Sequence, residues 1–108
     1  MNNFRTFDLA AAFYRTANEL SLRGAPKEQL SRAALSIALN LAEGRGKQSR
    51  RDQLRFFSIA MGSLRECQAI LQLADLEGSE AWGLLDKTAA HLYRLIERGG
   101  GGELTAAS

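Results

Sequence analysis

Between Ser49 and Gly78 the apolar side chains Leu54, Phe57, Met61, Leu64, Cys67, Leu71 and Ala74 return every three or four residues. No proline interrupts them. That spacing places one continuous apolar stripe along a long helix, and a stripe has to be buried against something. Ser49 is a good N-cap, with Asp52 three residues on in a near capping box. The helix is expected to reach about Asp75, and Gly78 and Ser79 form the next stop and start.

Three more helices follow from the same reasoning. The first is expected from Thr6 or Asp8 to Leu22, with Leu9, Phe13, Ala17 and Leu20 at helical spacing and Gly24 as its stop. Pro26, the single proline, suits the first turn of the second helix, with Glu28 beside it. Leu30, Ala34, Ile37 and Leu41 form its stripe, and Gly44 is expected to end it. The fourth helix carries Trp82, Leu85, Ala89, Leu92 and Ile96. Few residues are β-branched, and no strand pattern or repeat is visible. All three connections are short, which forces neighbouring helices antiparallel. The expected fold is all-α, an up-down-up-down four-helix bundle over residues 1–98. Residues 99–108 form a Gly-rich tail that cannot bury a core and is expected to be disordered.

The apolar residues exceed one stripe per helix. Leu35 and Leu39 on the second helix, and Phe56, Ile59, Ile70 and Leu73 on the third, lie beside the main faces. A wide core face would explain them; self-association explains them more simply. Gly62 costs ~1 kcal/mol in mid-helix relative to Ala. With Ser63 it makes a small pair, which implies close approach by another backbone.

Charge is distributed unevenly. The formal net charge is +2, yet residues 1–65 hold 11 Lys/Arg against 5 Asp/Glu, and residues 66–108 hold 3 against 7. In the stretch AEGRGKQSRRDQLRF, Arg45, Lys47, Arg50, Arg51 and Arg55 face only Glu43 and Asp52. Positive charge at a helix start opposes the dipole. The free N–H groups there, joined by arginines that fork onto phosphate, make an anion site. The candidates are nucleic acid, acidic groups within the protein or across a subunit interface, or a small anion. Among polar residues near the apolar side, Asn40, Glu43 and Glu66 call for partners. Glu43 and Glu66 are expected to pair with Arg32, Arg45 or Arg65 and set helix register.

Catalytic chemistry finds little support. His91 and Cys67 are the only residues of their kinds and lie on different expected helices, without metal-ligand spacing. His91 reads as a half-buried residue with a satisfied hydrogen bond, Cys67 as a small core hydrophobe. No intramolecular disulfide is possible. Gly44-Arg45-Gly46-Lys47 lacks the spacing and preceding strand of a phosphate loop. No catalytic residues, metal or cofactor are expected. The longest apolar run, Ala33 to Ala42, is far below the ~20 residues of a membrane span. The opening MNNFRTFDL has no signal-peptide pattern, so a cytoplasmic protein is expected.

SIALNLAEGRG, Ser36 to Gly46, resembles the helix-two ending of the four-helix-bundle proteins named for 23S rRNA intervening sequences. The family phrase of Asn, an aliphatic, then Ala-Glu-Gly appears as Asn40, Leu41, Ala42, Glu43 and Gly44. Ser49, Arg55-Phe56 and Gly62-Ser63-Leu64-Arg65-Glu66 match its next phrases, and FRTFDLAAAFY is similar to its first helix. The resemblance covers about residues 4–98. It implies a bundle assembled into a ring, typically a homopentamer. It also implies a relationship to the accessory variability determinant of diversity-generating retroelements, a basic pentamer that binds nucleic acid and works with a reverse transcriptase. The net charge is modest and the C-terminal half acidic, unlike that basic accessory protein. The expected function is a non-enzymatic homo-oligomer binding RNA or DNA phosphates through Arg45, Lys47, Arg50, Arg51 and Arg55, as accessory to a reverse transcriptase or other nucleic-acid enzyme. The alternative is a protein-protein adaptor whose basic loop serves intersubunit salt bridges.

Overall fold

The computed structural model describes residues 4–99, and the expected disorder of the tail lies outside them apart from Gly99. The described residues form four helices and no strand: α1 (Arg5–Ala17), α2 (Gly24–Arg45), α3 (Arg50–Leu73) and α4 (Glu80–Gly99). The contacts α1–α2, α2–α3, α3–α4 and α1–α4 dominate, so the helices stand at the corners of a square in chain order. α2 and α3 share the most extensive contact.

The core is built from the expected stripes. Phe13, Leu30, Ile37, Leu41, Phe57, Leu64, Leu71, Leu85 and Leu92 are all buried, with Cys67 among them. Burying each large side chain is worth roughly 1.5–3 kcal/mol against leaving it in water. Thr88 enters the same core and satisfies its hydroxyl by donating to Leu84 O at 2.7 Å. Leu54, Met61 and Ala74, read as part of the α3 stripe, are half-buried at its margin.

Several helix boundaries differ from expectation, and three of the differences have a clear local reason. α1 stops at Ala17 rather than Leu22, because the Asn18 side chain donates to Tyr14 O at 3.0 Å and the following N–H groups close a tighter turn. Leu20 and Leu22 still pack on the core from outside the helix. Gly24 begins α2 instead of stopping α1, and its φ of +65° is a conformation that glycine adopts without strain. α3 ends at Leu73. Asp75 then takes φ 59°, and Leu76 N–H reaches back to Leu71 O at 2.8 Å, closing the helix as a Schellman turn.

The caps behave as read. Asp52 N–H donates to Ser49 Oγ at 3.0 Å, and Trp82 N–H to Ser79 Oγ at 3.2 Å. Gly44 does not end α2. It lies buried one residue before the last of the helix, against the Phe57 ring.

Candidate nucleic-acid interface

The connection between α2 and α3 is four residues long, Gly46 to Ser49, and its geometry decides where the five cations go. Gly46 N–H closes onto Ala42 O and Glu43 O, and Lys47 N–H onto Gly44 O, so the chain leaves α2 in a tight turn. Ser49 then caps α3. Gln53, one turn into α3, is buried and fastens the turn from inside: its Nε2 donates to Lys47 O at 3.1 Å. Its Oε1 accepts from Arg50 Nη1 at 2.9 Å.

Aromatic rings organise three of the cations. The Arg45 guanidinium lies 4.7 Å from the Phe4 ring centroid. Lys47 Nζ lies 5.2 Å and the Arg55 guanidinium 4.7 Å from the Phe56 ring. Phe4 in turn meets Phe57 at 6.4 Å. Such contacts contribute about 0.5–1 kcal/mol each at exposed sites, which offsets part of the repulsion within the cluster. Arg45 and Arg55 remain exposed over these rings, and a guanidinium that reaches solvent can fork onto phosphate. Lys47 additionally pairs with Glu43 at 3.4 Å.

The remaining two arginines diverge. Arg50 turns inward, donating from Nη2 to Leu95 O at 3.4 Å, and so ties the start of α3 to α4. Arg51 is exposed and makes no hydrogen bond or ion pair among the described residues. The turn therefore presents Arg45, Lys47, Arg51 and Arg55, while Arg50 works as a clamp.

The polar residues singled out in the sequence take different partners from those expected. Asn40 Nδ2 donates to Ser36 O at 2.9 Å and to Ser36 Oγ at 3.1 Å. Ser36 Oγ meets Ser63 Oγ at 2.7 Å, a link between α2 and α3. Glu43 pairs with Lys47 rather than with an arginine. Glu66 is exposed without an ion pair among the described residues, and Arg65 donates to Gln68 instead. The polar link between α2 and α3 is thus a pair of serines and not a buried acid.

The additional apolar residues divide between the surface and the margin of the core, where Ile70 packs. Leu35, Leu39, Ile59 and Leu73 are exposed, Leu73 to 87%, and Phe56 and Ile70 are half-buried. Gly62 differs from expectation: no atom lies within 4 Å of where its Cβ would stand. The close approach in this chain is at Gly44. Cys67 is buried, and burial, with Glu66 nearby, raises its pKa to about 12, which keeps the thiol protonated and inert. His91 is half-buried but makes no hydrogen bond among the described residues.

Sequence reasoning missed Gln53, although it continues the buried series 57, 60, 64, 67 and 71 one step back at helical spacing. It also missed Phe4 and Phe56 as seats for the cations. An aromatic between basic residues was the available signal.

Among the described residues no helix is long and apolar enough to cross a membrane, and no three His, Cys, Asp or Glu side chains gather as a metal site. Residues 5–97 match the family model described as 23S rRNA-intervening sequence protein. No curated protein and no solved structure matches the chain.

Proposed function

The chain belongs to the 23S rRNA-intervening sequence protein family, and on that premise we propose that it is a non-catalytic binding module for nucleic-acid phosphates. The observation carrying this reading is the set of cations held over Phe4 and Phe56 with Arg51 exposed beside them. Cations fixed over rings lose less freedom on meeting a phosphate than free side chains do. Recognition at such a surface is of backbone and shape.

The bundle in this reading is antiparallel and forms a homopentameric ring. Support for the first comes from α2 and α3, where Ser36 meets Ser63 and Gly44 meets Phe57, so rising numbers on one helix pair with falling numbers on the other. Support for association comes from Leu35, Leu39, Ile59 and Leu73, exposed along α2 and α3. A ring repeats one modest cation set and turns weak contacts into avidity. The partner it would serve is an enzyme acting on nucleic acid, such as a reverse transcriptase.

The adaptor reading draws on a different observation: Lys47 is paired with Glu43, and Arg50 is used within the bundle. A salt titration separates the two. Binding of a labelled RNA stem-loop and a duplex DNA is measured for the wild type and for Arg51→Glu/Arg55→Glu, which leaves Arg50 in place. Phosphate binding predicts log-log slopes of about −0.7 to −0.9 per contact and loss of binding in the variant. Absence of binding by the wild type at low salt would overturn the reading in favour of a protein partner.

A further inference from the structure

A second basic group, three cations in line with one uncharged histidine, lies away from the α2–α3 turn. On α4, Lys87, His91, Arg94 and Arg98 follow one another at steps of four, three and four residues. At roughly 100° per residue they fall within about 60° of arc. Asp86 and Glu97 fall outside that arc, and Glu97 accepts from Tyr93 Oη at 3.1 Å. The first acid on the stripe, Glu80, lies about two turns before Lys87. Arg5 of α1 joins from across the α1–α4 contact, close enough that its charge, with that of Arg94, disfavours a proton on His91; burial adds the largest part of that effect. Arg5, Lys87 and Arg94 are exposed, and among the described residues none has an ion pair.

This group is continuous with the turn. Arg45 lies over the Phe4 ring, Arg5 is the next residue after Phe4, and the charge of Arg5 reaches His91 on α4. From the other side, Arg50 holds Leu95 O, one residue after Arg94. Lys87 to Arg94 spans about 10 Å of helix axis, a length over which one strand presents several phosphates at about 3.4 Å of axis each. The square order of the helices puts this α1–α4 flank opposite α2–α3, so covering the apolar residues of α2 and α3 leaves it open.

We propose that the α1–α4 flank formed by Arg5, Lys87, His91 and Arg94 is a second contact surface for a phosphodiester backbone, extending the one at the α2–α3 turn. It rests on the nucleic-acid reading above. The ligand then wraps around one end of the bundle instead of touching a single loop, which favours a bent or structured strand. RNA and DNA share the phosphate chemistry.

The three lysines of the chain make a direct test in the unaltered protein. Lys27 lies in the first turn of α2, Lys47 in the α2–α3 turn and Lys87 on the flank. Their amines are acetylated with and without saturating RNA stem-loop, or duplex DNA, and each site is quantified by mass spectrometry. The expected result is severalfold protection at Lys47 and Lys87 and none at Lys27. Protection at Lys47 alone overturns the flank and leaves the turn reading standing. Protection at Lys87 alone keeps the flank and overturns the turn. Equal protection at all three, or at none, overturns the flank; at none, it overturns the nucleic-acid reading as well. A second measurement compares salt slopes for Lys87→Gln/Arg94→Gln and for Arg23→Gln/Arg65→Gln, which removes two exposed charges elsewhere. The flank variant should be shallower than wild type by about 1.4 to 1.8. An equal change in both variants would mean net charge alone, and would overturn the assignment.

Discussion

A Cβ placed on Gly44 would stand 2.8 Å from Phe57 Cε1 and 3.1 Å from Phe56 Cβ. Contact this close lets the end of α2 lie on the start of α3, and it seats Phe56 and Phe57 where the cations and Phe4 meet them. Overpacking a buried site costs about 1–3 kcal/mol, offset in part by the ~1 kcal/mol that Ala gains in helix propensity. Gly44→Ala is therefore expected to lower the urea midpoint at unchanged m-value. A midpoint at or above wild type would show that the Phe57 ring yields freely.

Gly62→Ala should behave in the opposite way. Its Cβ position is open, so the substitution is expected to raise stability by up to about 1 kcal/mol. Equilibrium unfolding at low protein concentration reads this. A decrease that grows with protein concentration would instead place another chain against Gly62.

Ser49→Ala removes the acceptor for Asp52 N–H. The expected cost is about 1 kcal/mol. Because Gln53 N–H also bonds Ser49 O, a backbone contact, the turn itself should persist. Unchanged stability would mean that water caps α3 equally well.

His91 has a proton affinity below the ordinary histidine value of 6.5 because of burial first, then the charges of Arg94 and Arg5. The unfolded chain binds that proton more readily than the folded one, so this contribution to stability is present above 6.5 and lost as pH falls through the lowered native value. His91→Gln is expected to flatten the stability profile just below pH 6.5 relative to wild type. Parallel profiles for the two proteins would remove His91 from the acid response.

Leu39 is 57% exposed, so Leu39→Lys should leave helicity and the unfolding of dilute protein nearly unchanged. Under the ring reading it lowers the native mass measured by light scattering. Retention of wild-type mass would move any subunit contact off this part of α2.

Much of the fold was legible because it depends on local rules. Ser49 with Asp52, and Ser79 before α4, mark helix starts through a side-chain oxygen and a backbone N–H three residues apart. The end of α1 was harder. Leu20 and Leu22 keep helical spacing, but Asn18 diverts the backbone, and their burial does not require a helix. The site was half legible. Spacing grouped Arg45 to Arg55, yet nothing local says that Arg50 reaches Leu95, 45 residues away, or that Phe4 lies under Arg45.

Four helices, their stripes and the concentration of positive charge after Gly44 follow from residue order alone, since periodicity, capping and composition act within a few residues along the chain. Which cations turn inward and which stay on the surface, why Gly44 and not Gly62 has to be glycine, and that Arg5 comes near His91 all had to await the packed chain. Those outcomes depend on distances between atoms far apart in sequence, and such distances exist only once packing has placed α1 beside α4 and α2 against α3.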